Sequence, residues 1–209
     1  MNIAVIAADG RLGKAFVKEA IARGHHVRAG IRGVPGASKK RNLEFIQCDA
    51  THSDEVRALI NHQDVVVSCI GHVKSSPVDV QAIATNVLVT VMDEVNIKRF
   101  VDLTGTGARF PGDKVTIMDR FLNFSVRIID PYRIKDGVNH MKVLEASDLD
   151  WTTIRVLQLQ NISAKPYTLL PNGPTKLVVG REEAAKAMLE VIENRSFIKQ
   201  SPIIGYYRK

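Results

Sequence analysis

The chain has 209 residues, 45% of them hydrophobic and 24% charged. That is enough for one large domain with a full core, and too balanced for a disordered, fibrous or coiled-coil protein. The net charge is +7, and two cysteines without a C-x-x-C exclude a disulfide framework. No apolar run approaches the ~20 residues of a membrane span, so a cytoplasmic protein with no membrane partner is expected.

In chain order, Ile3, Val5 and Ile6 predict a buried first strand over residues 1–8, rather than a signal peptide. Residues 10–13 form a turn, and the spacing of Leu12, Ala15, Phe16 and Ala20 predicts a helix from Arg11 to Arg23, closed by Gly24. Strands follow at 26–31 and 43–48. Ser53 is expected to cap a helix to Asn61. The apolar run Val65-Val66-Val67 marks a fourth strand, and Pro77 opens a long helix to Val95. A fifth strand covers 100–104, and 105–135 reads as a long insertion. Asp136 is expected to cap a helix to about Ser147. A sixth strand covers 151–156, a helix runs from Arg181 to about Glu193, and residues 198–206 close the pattern.

Strands alternating with helices imply βαβ units. With right-handed crossovers they imply a Rossmann-like, doubly wound parallel sheet. Residues 156–179 lack a helical period and contain Pro-Asn-Gly-Pro. They read as a small hairpin on the substrate side of one domain spanning 1–209.

After the first strand comes Ala7-Ala8-Asp9-Gly10-Arg11-Leu12-Gly13. A dinucleotide turn needs little side chain at three places: for the tight turn, for backbone approach to pyrophosphate, and for packing of the helix on the strand. Here these are Ala7, Gly10 and Gly13. A phosphate loop of the Walker type is excluded, because Ala8 stands at its first glycine and Ala15 follows Lys14. The second strand ends Gly30-Ile31-Arg32, with no Asp or Glu for ribose hydroxyls. An arginine there pairs with a 2′-phosphate instead. No acidic residue occurs from Ala20 to Leu43, whereas Arg23, Arg28, Arg32, Lys39, Lys40 and Arg41 do. NADP(H) is the expected cofactor, with Lys39, Lys40 or Arg41 supporting Arg32. Aromatics make up 6% of the chain and do not interleave with the cations, so nucleic acid is not expected.

These residues resemble the NmrA-like, NAD(P)H-binding group of atypical short-chain dehydrogenase/reductases, to which flavin reductase/biliverdin reductase B belongs. The resemblance runs through the 7–13 turn, Ile31-Arg32, Cys48-Asp49-Ala50, residues 100–104, His140-to-Ser147 and Leu149-to-Arg155. It implies a Rossmann fold and NADP(H). It places the pyrophosphate at Gly10, Arg11, Leu12 and Gly13, and the 2′-phosphate at Arg32. The adenine edge falls at Asp49 and Ala50, the ribose or nicotinamide side at Ile70 and Gly71, and the nicotinamide pocket at Thr104. Four departures stand out: Ala7 for the first glycine, Asp9 for the usual threonine, Gly137 where the reductases carry an active-site histidine, and Val156 for the usual proline after Trp-Thr-x-x-Arg.

No Tyr-x-x-x-Lys pair is present; Tyr132 and Lys135 are three apart in an apparent loop. Candidate acids are Thr104, His72, Asp136 and His140, with Thr104 and His72 placed beside the nicotinamide and Leu157-to-Asn161 on the substrate side. His140 reads as a helix-packing or surface residue and Cys69 as a small buried hydrophobe; no ligand spacing suggests a metal. The expected activity is hydride transfer to a flavin- or quinone-like acceptor. The alternatives are a non-catalytic NADP(H) sensor and a sugar-type epimerase or isomerase. The expected partner is a small redox molecule, and a homodimer is left open.

Overall fold

The computed structural model describes residues 1–35, 41–73 and 76–206. Its strands are β1 (Asn2–Ile6), β2 (His26–Ile31), β3 (Leu43–Gln47), β4 (Val65–Ser68), β5 (Arg99–Gly105), β6 (Asp150–Val156), β7 (Leu159–Gln160), β8 (Tyr167–Leu170), β9 (Val179–Gly180) and β10 (Ile203–Tyr206). The helices are α1 (Arg11–Ala22), α2 (Ser53–Ile60), α3 (Val80–Glu94), α4 (Ile117–Ile129), α5 (Pro131–Glu145) and α6 (Arg181–Glu193).

Eight strands form one sheet in the order β3-β2-β1-β4-β5-β6-β10-β8, parallel except for β8 against β10. The order reverses between β1 and β4, where the crossovers leave a crevice above the carboxyl ends of the strands. The helices cover both faces. On one, Phe16, Val17 and Ala20 of α1 share a core with Met188, Val191 and Ile192 of α6. On the other, Leu59, Leu88, Met92, Leu144 and Trp151 join α2, α3 and α5 to the sheet. The central strands are buried on both sides, which accounts for the continuous apolar run of β4.

Six expectations change. Residues 105–135 are no featureless insertion, since they contain α4 and the first turn of α5. Asp130, not Asp136, caps α5 by accepting from the Arg133 amide, with Pro131 at the first helical position. Tyr132 and Lys135 therefore lie in a helix. Elsewhere α2 is preceded by His52, so Ser53 is its first residue, and α3 begins at Val80, with Pro77 in the preceding turn. The 156–179 stretch is not a self-paired hairpin: β7 pairs in parallel with β9, and β8 joins the main sheet through β10. A buried Lys176–Glu183 pair at 2.7 Å, with Glu183 also accepting from the Lys165 amide, ties this stretch to α6. Arg155, fully buried, binds both oxygens of Asp113, the Ala108 carbonyl and the Ser201 carbonyl, and lies over the Phe110 ring. It fastens the β5–α4 connection to β6.

Candidate cofactor and substrate cleft

A cavity of about 980 Å³ opens above the strand ends at the switch point. Ala7, Asp9, Gly10, Arg11, Leu12, Arg32, Asp49, Ala50, Ile70, Gly71, His72 and Thr104 all line it. Gly13 does not, and its role is structural. A Cβ there would stand 2.3 Å from the Ala7 carbonyl oxygen and 2.7 Å from the Ala8 Cα, so only glycine lets α1 lie this close on β1. Gly10 precedes α1 without a side-chain cap, and no acidic residue occupies the first turn. The amides at the start of α1 therefore keep their donors for an anion, and the helix dipole adds to their pull. Ala7 holds φ at +56°, a left-handed conformation that glycine adopts without strain. That explains why a glycine is usual at this place in such turns.

Arg32 stands at the carboxyl end of β2, exposed at the cavity edge. Asp49 lies close enough for Arg32 to lower its pKa, but the larger causes are the Thr51 amide and hydroxyl, which donate to Asp49 Oδ1 at 2.9 and 2.7 Å. The Asp49 side chain is thus held by its own turn. Lys39 and Lys40 lie outside the described residues. Arg41 is exposed and does not line the cavity.

At the other end, Thr104 from β5 meets α5 at Gly137, where a Cβ would stand 3.0 Å from Thr104 Oγ1. Gly137 leaves the hydroxyl room that any larger residue would take. His72 reaches Asp136 of α5, with Nε2 3.0 Å from Oδ2, though the ring N–H is not aimed at that oxygen. Asp136 also accepts the Gln81 and Ala82 amides at 2.9 Å. It thereby caps α3 from another helix, a role that sequence spacing could not reveal. Burial works against its ionisation, but His72 and the two amides outweigh it and hold the carboxyl below its ordinary value. His140 is buried behind the cleft, its Nε2 3.0 Å from Asp102 Oδ2. Burial lowers its affinity for a proton, yet the Asp102 charge prevails and raises its pKa. It is a packing residue, as expected, but a paired one. Burial pushes the thiols of Cys48 and Cys69 up to about 12, so neither is a ready nucleophile. Among the described residues no group of three His, Cys, Asp or Glu could hold a metal.

The remaining wall is mostly apolar: Leu122, Val126 and Ile129 from α4, Ile134 from α5, and Leu157 and Leu159 beside β6 and β7. Leu157 to Leu159 line the cavity as expected. Asn161 instead accepts from Arg181, itself a lining residue, and Arg155 points away from the cleft. The lining residues of α4, together with Arg133, carry no sequence signal of a cleft, because the polar residues between 105 and 116 read as irregular chain.

The sequence model of a family described as NAD(P)H-binding matches residues 7–195. The chain belongs to the NAD(P)H-binding family. Among solved structures, the fold of this family member is similar to an NADP complex of a short-chain dehydrogenase/reductase from Veillonella parvula. The two share 17% identity over 98% of this chain and 94% of that one, with a TM-score of 0.81. ChuY, an anaerobillin reductase from Escherichia coli O157:H7, is similar at 17% identity, 100% and 98% coverage and a TM-score of 0.81. A curated relative, Protein TIC 62 of Arabidopsis thaliana chloroplasts, is 23% identical over 142 residues; the match takes in 56% of this chain and 22% of that protein's length. In this NAD(P)H-binding chain the turn, the open helix start and the cleft occur together at the switch point, where such cofactors lie.

Proposed function

We propose that the protein is an NADPH-dependent oxidoreductase acting on a flat, conjugated acceptor of the flavin or quinone kind. The observation that carries this reading is the pairing of a bare α1 N-terminus with Arg32 at the end of β2, in one cleft whose far end is apolar. The α1 amides and Arg11 are suited to a pyrophosphate, and Arg32 supplies a planar cation for a 2′-phosphate where a carboxylate would repel it. Bound NADPH supplies a hydride. The chain's task at the far end is to hold a second ring against the cofactor and to exclude water. Leu122, Val126, Ile129, Ile134, Leu157 and Leu159 suit a broad apolar ring system.

The residues of α5 that face Thr104 weigh against an alcohol or carbonyl substrate. Arg133 and Gly137 line the cleft four residues apart on α5, the spacing at which a Tyr-x-x-x-Lys pair would show both side chains on one helix face. Arg133 is engaged with Asp130 at 3.2 Å, and Gly137 has no side chain. Thr104 and His72 are the groups left to exchange a proton with an acceptor, Thr104 through its hydroxyl and His72 through its ring beside Asp136. Classification of ChuY as an anaerobillin reductase favours an extended conjugated acceptor.

The test is oxidation of NADPH and NADH against a panel of flavins, quinones, linear tetrapyrroles and simple carbonyls. Turnover with a conjugated acceptor and preference for NADPH are expected. Tight NADPH binding with no acceptor reduced would overturn the enzymatic reading in favour of an NADP(H) sensor. Carbonyl reduction alone would overturn the acceptor class.

A further inference from the structure

Helix α4 is built the opposite way round from the other amphipathic helices. Its inner face is polar: buried Asp119 accepts from the Thr106 hydroxyl at 2.7 Å and the Asn123 amide at 2.8 Å, and pairs with Arg109 at 3.0 Å. Leu122, Asn123, Ser125 and Val126 turn to the cleft. The outer face carries Ile117 (88% exposed), Phe121 (63%), Phe124 (62%) and Ile128 (67%). At about 100° per residue these four fall within an arc of roughly 60°. Arg120 and Arg127 lie together along one edge of that arc, and Met118 and Ile129 along the other. Exposed apolar patches of this kind mark a contact surface.

We infer that the outer face of α4 docks the protein on an anionic lipid surface, with the helix lying in the headgroup plane. Two observations choose this occupant. First, the charge beside the apolar arc is of one sign. Asp119 is spent on Arg109 and Thr106, Asp130 on Arg133, and Asp113 on Arg155. Among the described residues no carboxylate pairs with Arg120 or Arg127. An apolar arc of Phe and Ile flanked by arginine is the pattern of an interfacial helix on anionic headgroups. Second, a second copy docked antiparallel through the same face would bring four arginines onto one edge with no acid to meet them. The face cannot turn inward either, because the Asp119 network fixes the polar side against β5. No described helix is long and apolar enough to cross a membrane, so the helix lies on the surface rather than spanning it. Ile129 belongs to both the outer face and the cleft wall, which places the cleft mouth beside the lipid.

The experiment is co-sedimentation of the full chain with vesicles of phosphatidylglycerol and phosphatidylcholine in equal parts, and with phosphatidylcholine alone. The wild type is expected to sediment with the anionic vesicles at least about tenfold more tightly than with the neutral ones. The pairs Phe121→Ser/Phe124→Ser and Arg120→Glu/Arg127→Glu should each lose at least about tenfold of that binding. Neither pair lines the cleft, so unfolding midpoint and NADPH affinity should stay at wild-type values; the arginine pair keeps the test open should the serine pair fold poorly. Absence of vesicle binding, or equal binding to both vesicle types, would overturn the inference. A lipid-free dimer that dissociates in the phenylalanine pair, seen by analytical ultracentrifugation, would overturn it in favour of a second copy.

Discussion

Helices α1 and α4 border the same cleft from opposite sides and are assembled by opposite rules. On α1 the apolar residues Leu12, Phe16, Val17 and Ala20 face the sheet, and the close approach at Gly13 fixes where the helix starts. On α4 the only buried residue is an aspartate, and Ile117, Phe121, Phe124 and Ile128 face outward. The first arrangement draws its rigidity from core packing and steric fit. The second rests on a few hydrogen bonds and an ion pair, whose net worth is about 1–3 kcal/mol each. The nucleotide side is therefore expected to be the stiff side of the cleft and the acceptor side the yielding one.

The largest expected effect breaks the stiff side. Gly13→Val forces a side chain into the Ala7 carbonyl and should abolish NADPH binding; normal affinity measured by calorimetry would show that the phosphate turn is elsewhere. Next comes the chemistry between the two helices. Thr104→Val removes one hydroxyl at nearly constant volume and should lower turnover about 10- to 100-fold with NADPH affinity unchanged. An unchanged rate would leave the acceptor protonated by another group or by solvent. Arg32→Ala should cut the preference for NADPH over NADH about 10- to 100-fold, read from the two dissociation constants, while sparing NADH. Equal affinity of the wild type for both cofactors would remove Arg32 from this role.

A smaller effect concerns Asp136, which joins α5 to α3. Its carboxyl is held below the ordinary value, so its contribution to stability is present above the unfolded value of about 3.9 and is lost as pH falls through the lower folded one. The gap in unfolding midpoint between wild type and Asp136→Asn should be open at pH 7 and close below about pH 4. A gap independent of pH would show that shape rather than charge sets the contact. The smallest effect is expected for Ala7→Gly. Relief of the left-handed strain at φ +56° is offset by the entropy glycine loses on folding, leaving a net change within about 1 kcal/mol and cofactor binding retained.

Much of the stiff side was legible in the chain. Strand and helix periods fixed the order of β1 to β6, and the spacing of Gly10 and Gly13 marked the turn, because those constraints act between residues close in sequence. Of the thirteen residues assigned to the cofactor or placed beside the nicotinamide, twelve line one cavity; the exception is Gly13, which lies behind it at the contact of α1 with β1. The yielding side was far less legible. Half of the apolar pattern of α4 faces outward, and the partners of its buried Asp119, namely Thr106, Arg109 and Asn123, are polar residues that read equally well as loop.

The sequence alone thus determined what local chemistry can state: the parallel α/β pattern, a tight turn into α1, a basic end to β2, and the lack of a Tyr-x-x-x-Lys pair. Tertiary structure decided the rest. It gave Asp136 to the start of α3 rather than to its own helix, paired His140 with Asp102, and turned Arg155 away from the cleft onto Asp113. These are contacts between residues tens of positions apart. Desolvation and geometry choose among many sequence-compatible partners there, and no local period records the choice.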